Sequence, residues 1–142
     1  ASHFVNDLRK LCGIEAYAPT DNVAELTARI NDEGWQFSFR DYLSPHMTPN
    51  DDLFVLSVGG GRLDTPVSAP ITVAVAWAKE AGSRVFGIVG KDGGVTKRWG
   101  DHVIIIPTAE ASRVTPHTEG WQAVVWHCLV SHPDLQRNKT KW

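Results

Sequence analysis

Four side chains combine a reactive type with an informative spacing: His3, Asp7, Glu119 and His127. His127 lies inside the apolar stretch of the run Thr115 to His132 (TPHTEGWQAVVWHCLVSH), and Glu119 stands eight residues before it. An imidazole near its reference pKa accepts and donates a proton at neutral pH, and its ring nitrogens ligate metals. At the helical period, Trp121, Ala123, Val124, Val125, Trp126, Cys128, Leu129 and Val130 surround the axis, which predicts a helix buried on most sides. A titratable group there loses water that only a hydrogen bond, an ion pair or a metal replaces. His127 is therefore either a core histidine tied to a backbone carbonyl or one arm of a site.

His3 and Asp7, at i and i+4, place an imidazole and a carboxylate on one helix face. That spacing suits a metal pair, a base held by an acid, or an ordinary surface pair. Glu119 and His127 differ by about 80° in angle but by roughly 12 Å along a continuous helix, whereas ligand atoms sit about 2 Å from a zinc ion. The two do not easily share one metal within a subunit. Either the helix begins after Glu119 or a neighbouring subunit supplies one ligand. Pro116 in a first helical turn with Thr115 as N-cap favours the neighbouring subunit.

The elements that must position these groups alternate between helical and extended patterns, as in an α/β layer fold. The first helix starts at the beginning of the chain, in SHFVNDLRKLCG, and stops at Gly13. Ile14 to Pro19 (IEAYAP) alternates and ends in proline, which predicts a short strand. Asp21 or Asn22 can cap a helix over Val23 to Ile30, NDEGW reads as a turn, and a further helical piece spans Gln36 to Leu43. A βαβ unit follows, with a buried strand over Leu53 to Val58, a helix near Ser68 to Ala81 closed by Gly82, and a parallel strand over Arg84 to Gly90. KDGGVTKRWGD reads as a loop leading to a third buried strand, His102 to Pro107.

Ser57-Val58-Gly59-Gly60-Gly61 leaves the carboxyl end of the first of these strands, where open α/β sheets bind ligands. Glycine amides can approach an oxygen-rich ligand closely, and Ser57 adds a hydroxyl. The turn lacks the GxGxxG and GxxxxGK[ST] spacings, so nucleotide cofactors receive little support. Lys91-Asp92-Gly93-Gly94 ends the next strand and offers a charged pair to the same region. Trp77, Trp121 and Trp126 fall in apolar helical runs, where packing is their default role.

Composition bounds these readings. A chain of 142 residues, 42% hydrophobic and 21% charged, fits one globular domain. A net charge of -2 without a basic run argues against a nucleic-acid surface. No apolar stretch approaches the roughly 18 residues of a membrane span. Cys12 and Cys128 match neither a disulfide framework nor a CxxC metal spacing and suit a reducing cytoplasm. The start at Ala1, already within a helical pattern, predicts further material upstream.

Taken together, several segments resemble the sugar isomerase (SIS) domain family, and within it the bacterial sedoheptulose-7-phosphate (phosphoheptose) isomerases. GIVGKDGGVTKRWGDHVIIIP resembles their strand, GKDGG loop and following strand; SHFVNDL resembles their HFxxEL helix, and NDEGW their NDxGF turn. The last helix resembles their Gln-x7-His segment, with Glu119 where glutamine is usual and His127 at the catalytic or metal histidine. The likeness covers nearly the whole chain. It implies one three-layer αβα sandwich over residues 1–142, of flavodoxin-like SIS type with a mainly parallel sheet, lacking its N-terminal helix and first strand.

It implies aldose–ketose isomerisation through an enediol, with Asp7 and His127 as the catalytic groups and zinc or another divalent ion on His3, Asp7, Glu119 and His127. Asn31, Asp32, Ser57, Gly59, Gly60 and Lys91 become substrate contacts, and a cytoplasmic homotetramer with shared sites becomes the assembly. Two departures stand against it. The family's Ser/Thr-rich phosphate loop is here SVGGG, and Asp7 is one methylene shorter than the family's glutamate. Both favour a rival reading, a non-catalytic domain that senses sugar phosphates.

Overall fold

The computed structural model describes residues 1–140. Three parallel strands, β1 (Leu53–Ser57), β2 (Val85–Val89) and β3 (His102–Ile105), form a sheet in the order β1-β2-β3. Leu53 pairs with Val85 and Ser57 with Val89; on the other side Phe86 pairs with His102 and Val89 with Ile105. β1 and β2 each run from one apolar layer to another, so alternate residues feed opposite cores. Leu53 and Val55 join Val75, Ala78, Val85 and Val89 beneath α4 (Ala69–Glu80). Phe54 and Leu56 join Phe4, Leu11, Cys12, Trp126 and Val130 beneath α1 (Ser2–Asp7) and the last helix. Helices on both faces of a parallel sheet give the three-layer αβα arrangement expected from the sequence.

The remaining elements are α2 (Val23–Glu33), α3 (Ser38–Leu43), α5 (Gly94–Trp99) and α6 (Val114–Val130), with single 3-10 turns before α3 and α6. Asn22 caps α2, its side chain accepting from the Glu25 amide at 3.3 Å. No described helix is long and apolar enough to cross a membrane.

Several local expectations are corrected. Ile14 to Pro19 is not a strand but irregular chain, with Tyr17 63% exposed and Ala18 alone buried. Alternation there has no neighbouring strand to bond, and an unpaired strand is not stable on its own. The turn assigned to NDEGW begins later, because α2 runs on through Asn31, Asp32 and Glu33 and breaks at Gly34, whose φ is 90°. The loop assigned to KDGGVTKRWGD contains α5. Gly93 and Gly94, both at positive φ, look like a plain turn in sequence, but Val95 and Thr96 behind them are buried and hold one helical turn and a half in place.

The first helix does not run on as α-helix to Leu11: Leu8–Cys12 is a π turn. The last helix begins at Val114 after Arg113, so Thr115 is not its N-cap, although Pro116 does lie in its first turn. Nor is α6 buried on most sides. Trp121 is 56% and Val124 48% exposed, and Cys128 is exposed as well.

Candidate active site

α1 and α6 lie side by side on one face of the sheet and bring His3, Asp7 and His127 together. Phe4, Leu11 and Val130 bury the contact between them, which fixes the faces they turn to each other. Asp7 Oδ2 stands 3.4 Å from His3 Nε2 and 3.7 Å from His127 Nε2. The Asp7 side chain is 3% exposed, against 62% for His3 and 40% for His127, so the carboxylate lies deepest and the imidazoles open outward. His127 Nδ1 is 2.7 Å from the Ala123 carbonyl. A carbonyl only accepts, so Nδ1 carries a hydrogen and Nε2 is the ring nitrogen turned toward Asp7. The core-histidine expectation was thus half met: the carbonyl bond exists, but the other nitrogen faces a site.

This geometry tests whether a divalent ion fits. Asp7 Oδ2 is buried without a hydrogen-bond partner, while Asn6 Nδ2 donates only to Oδ1, at 3.2 Å. Two imidazole nitrogens and an orphaned carboxylate oxygen, all within 4.8 Å of one another, require a proton or a cation between them. Zinc bonds of about 2.0–2.1 Å at tetrahedral angles separate ligand atoms by roughly 3.4 Å, close to the spacings found here. The donor set, two nitrogens and one hard oxygen, is of a kind zinc accepts, and the Ala123 carbonyl supplies the outer hydrogen bond that orients a ligating histidine.

Glu119 is not among these residues. It is exposed on the same continuous helix, eight residues or about 12 Å before His127, as the sequence spacing requires.

The walls of the cluster are aromatic. The His3 ring packs edge-on to Trp126 and to His127, with centroids 5.8 Å and 5.2 Å away, and Phe4 stacks on Trp126. Trp126 was read from sequence as packing alone, yet it forms the floor between the two histidines and keeps its Nε1 buried and unbonded. Burial, and then the nearby Asp7 charge, push the Cys12 thiol pKa up.

A second polar feature lies at the carboxyl ends of β1 and β2. Ser57, Val58, Gly59, Gly61, Arg62, Ser68, Lys91, Asp92 and Thr115 line much of a cleft of about 270 Å³. Ser68 and Lys91, both non-glycine residues in it, have φ of 57° and 51°. Such conformations cost energy and gather at functional sites. Gly60 does not line the cleft. Its carbonyl accepts from the Thr96 amide and hydroxyl, at 3.0 Å and 2.8 Å, and the Gly61 carbonyl accepts from Val95 at 3.1 Å. A Cβ on Gly60 would strike the Gly93 carbonyl, and one on Gly94 the Gly61 carbonyl, so the two loops interlock only as glycines.

Gln122, unforeseen from sequence, is buried in α6 and donates to the Ser57 carbonyl at 3.1 Å and the Ile88 carbonyl at 2.7 Å. It pins α6 across the strand ends. A lone glutamine in an otherwise apolar helical run was the signal. Asn31 and Asp32 stand on the exposed last turn of α2, bonded to each other, and neither lines the cleft.

No family model matches the chain. It is 34% identical over 139 residues to the lincomycin biosynthesis protein LmbN of Streptomyces lincolnensis, an alignment covering 93% of this chain and 50% of LmbN. It is 31% identical over 122 residues to the phosphoheptose isomerase of Rhodospirillum rubrum, covering 86% of this chain and 60% of that one. The structure of phosphoheptose isomerase GmhA from Neisseria gonorrhoeae superposes with a TM-score of 0.75 at 25% identity, over 92% of this chain and 67% of GmhA. The chain thus spans 50% of LmbN and 60% of the Rhodospirillum rubrum enzyme. In sequence and in fold, the chain resembles the phosphoheptose isomerases.

Proposed function

We propose that the protein is an aldose–ketose isomerase for a sugar phosphate of the sedoheptulose 7-phosphate type, with zinc held by His3, Asp7 and His127. The observation that carries this reading is the buried, unpartnered Asp7 Oδ2 facing two imidazole nitrogens. When bound, such an ion polarises a carbonyl and steadies charge on its oxygen. Asp7 and His127 are the two candidates to take the proton from the carbon beside the carbonyl and return it to its neighbour, and the one that carries the proton does so with a lone pair that is not held on the ion. The Ala123 carbonyl holds the His127 ring in place for that task, and Phe4 and Trp126 exclude water from the carboxylate side. Ser57, Gly59 and Lys91, on a cleft that Gly60 holds in shape, receive the phosphate, while Asn31 and Asp32, on the exposed end of α2, have no part in that cleft.

The site is shared between copies. Thr115, which lines the cleft, and His127 are about 18 Å apart along α6, more than one seven-carbon sugar phosphate bridges. Trp121, Val124 and Cys128 form an exposed apolar stripe at i, i+3 and i+7, and an open groove of Ala123, Val124, His127, Cys128 and Ser131 runs beside it. A second copy covering that stripe brings its own Glu119 toward the cluster as the fourth ligand, and two such pairs make a tetramer. Cys12 and Cys128 are both free thiols, in keeping with a cytoplasmic enzyme.

The test is isomerisation of sedoheptulose 7-phosphate by the full-length protein before and after chelation. Turnover that stops on chelation and returns with zinc supports the enzyme. Sugar-phosphate binding without turnover in either state supports the sensor reading, which the hydroxyl-poor SVGGG loop favours.

A further inference from the structure

The helix bearing His3 and Asp7 changes winding one residue after Asp7. Leu8–Cys12 forms a π turn, a wider winding that is rare and gathers near functional sites. The Leu8 carbonyl accepts from the Gly13 and Ile14 amides, which leaves the carbonyls of Lys10 and Leu11 pointing off the helix end. Both are satisfied from far along the chain. The Arg137 and Asn138 amides donate to the Leu11 carbonyl at 2.8 Å and 2.9 Å, and the Asn138 side-chain amide donates to the Lys10 carbonyl at 2.8 Å. Gln136 Nε2 donates to the Asn138 carbonyl at 3.0 Å and closes the segment on itself.

This segment is the direct continuation of α6. The chain leaves the helix at Ser131, turns through His132 and Leu135, and reaches the π turn within eight residues of Val130. It therefore ties the end of the helix that presents Asp7 to the helix that presents His127. At the other end of α1, Ala1 gives no side-chain cap, and Ser2 bonds only to the exposed Asp21. The rotation of α1 about its own axis sets whether Asp7 Oδ2 meets both imidazoles, and the strap resists that rotation one turn from the carboxylate.

We propose that Asn138 is a positioning residue for the His3, Asp7 and His127 cluster, holding the π turn so that Asp7 faces His127. The proposal rests on the reading of that cluster as a divalent-ion site. Asn138 is exposed, and so is the Lys10 whose carbonyl it binds. Water can replace the lost bond, so removing the amide costs the fold little while freeing the turn behind Asp7.

The test uses the full chain stripped of metal and titrated with Co²⁺, read by its visible ligand-field absorption, for wild type, Asn138→Ala and Asn138→Asp. The aspartate keeps the shape of the side chain but cannot donate to Lys10. Both variants are expected to bind Co²⁺ about tenfold more weakly than wild type, with an altered band shape, as the loss of one hydrogen bond's worth of preorganisation implies. Their metal-free melting temperatures are expected within about 3 °C of wild type. Wild-type affinity and band shape in both variants overturns the strap and leaves the metal site standing. No Co²⁺ uptake by wild type overturns the site and the strap together.

Discussion

At the scale of the residue, the account turns on one carboxylate held where it has no ordinary partner. Replacing Asp7 with Asn keeps the volume and removes the charge. Turnover is expected to fall by about 10²-fold to 10⁴-fold, the range ascribed to a positioned proton-transfer group, with divalent-ion affinity falling in parallel. Steady-state kinetics and metal titration of Asp7→Asn check this. His127→Ala is expected to lose turnover similarly, and full activity in that variant would remove it from the site.

The two thiols give an independent check on the packing around Asp7. Burial and the Asp7 charge raise the Cys12 pKa, so the neutral thiol persists to higher pH and the reactive thiolate stays scarce. Iodoacetamide at pH 8 is expected to modify the exposed Cys128 and to spare Cys12 until the protein unfolds, as mass spectrometry of the labelled peptides will read. These residues differ in how plainly the sequence announced them. The i, i+4 pair His3 and Asp7 and the misplaced His127 were visible as types at spacings. Their meeting was legible only through the family resemblance, because spacing alone says nothing of α1 and α6 packing side by side across more than a hundred residues of sequence. Trp126 was indistinguishable from any core tryptophan until the His3 ring was found against it.

At the scale of the element, the glycine loops after β1 and β2 act as one device. Gly60 has a φ of 69° and no room for a Cβ, whereas Gly82, with a φ of 82°, has open space around that position. Gly60→Ala is expected to destabilise the fold by about 2–4 kcal/mol, from collision with the Gly93 carbonyl added to left-handed strain. Gly82→Ala carries the strain alone and is expected to cost about 1–2 kcal/mol. Urea unfolding midpoints of the two variants measure the difference. The same loops show where sequence patterns lose their grip. The buried strands and α4 were legible because a run of apolar residues or a helical stripe needs no knowledge of its neighbours. The strand expected at Ile14 to Pro19 failed because pairing is not a local property. The helix α5 escaped notice because its first residue is a glycine and its stability comes from Thr96 and Val95 bonding to the opposite loop.

At the scale of the whole molecule, the spacing of Glu119 and His127 on one unbroken helix carries over into assembly. If each site takes His127 from one copy and Glu119 from its neighbour, Glu119→Ala and His127→Ala are each inactive alone. Mixing them in equal amounts and reassembling is expected to restore about a quarter of wild-type activity, since random pairing rebuilds that share of sites. No recovery on mixing would place all ligands within one copy.

The central claim is that the site built by His3, Asp7 and His127 moves a proton between adjacent carbons of a bound sugar phosphate. Its most direct measurement is solvent exchange: full-length protein with zinc and sedoheptulose 7-phosphate in D₂O, followed by proton NMR at the carbons flanking the carbonyl. Enediol chemistry predicts deuterium entering at C1 of the ketose and C2 of the aldose, and not at C3, with wild type, and at none of them with Asp7→Asn. Sugar phosphate that binds to the wild-type protein yet keeps every carbon-bound hydrogen would contradict it.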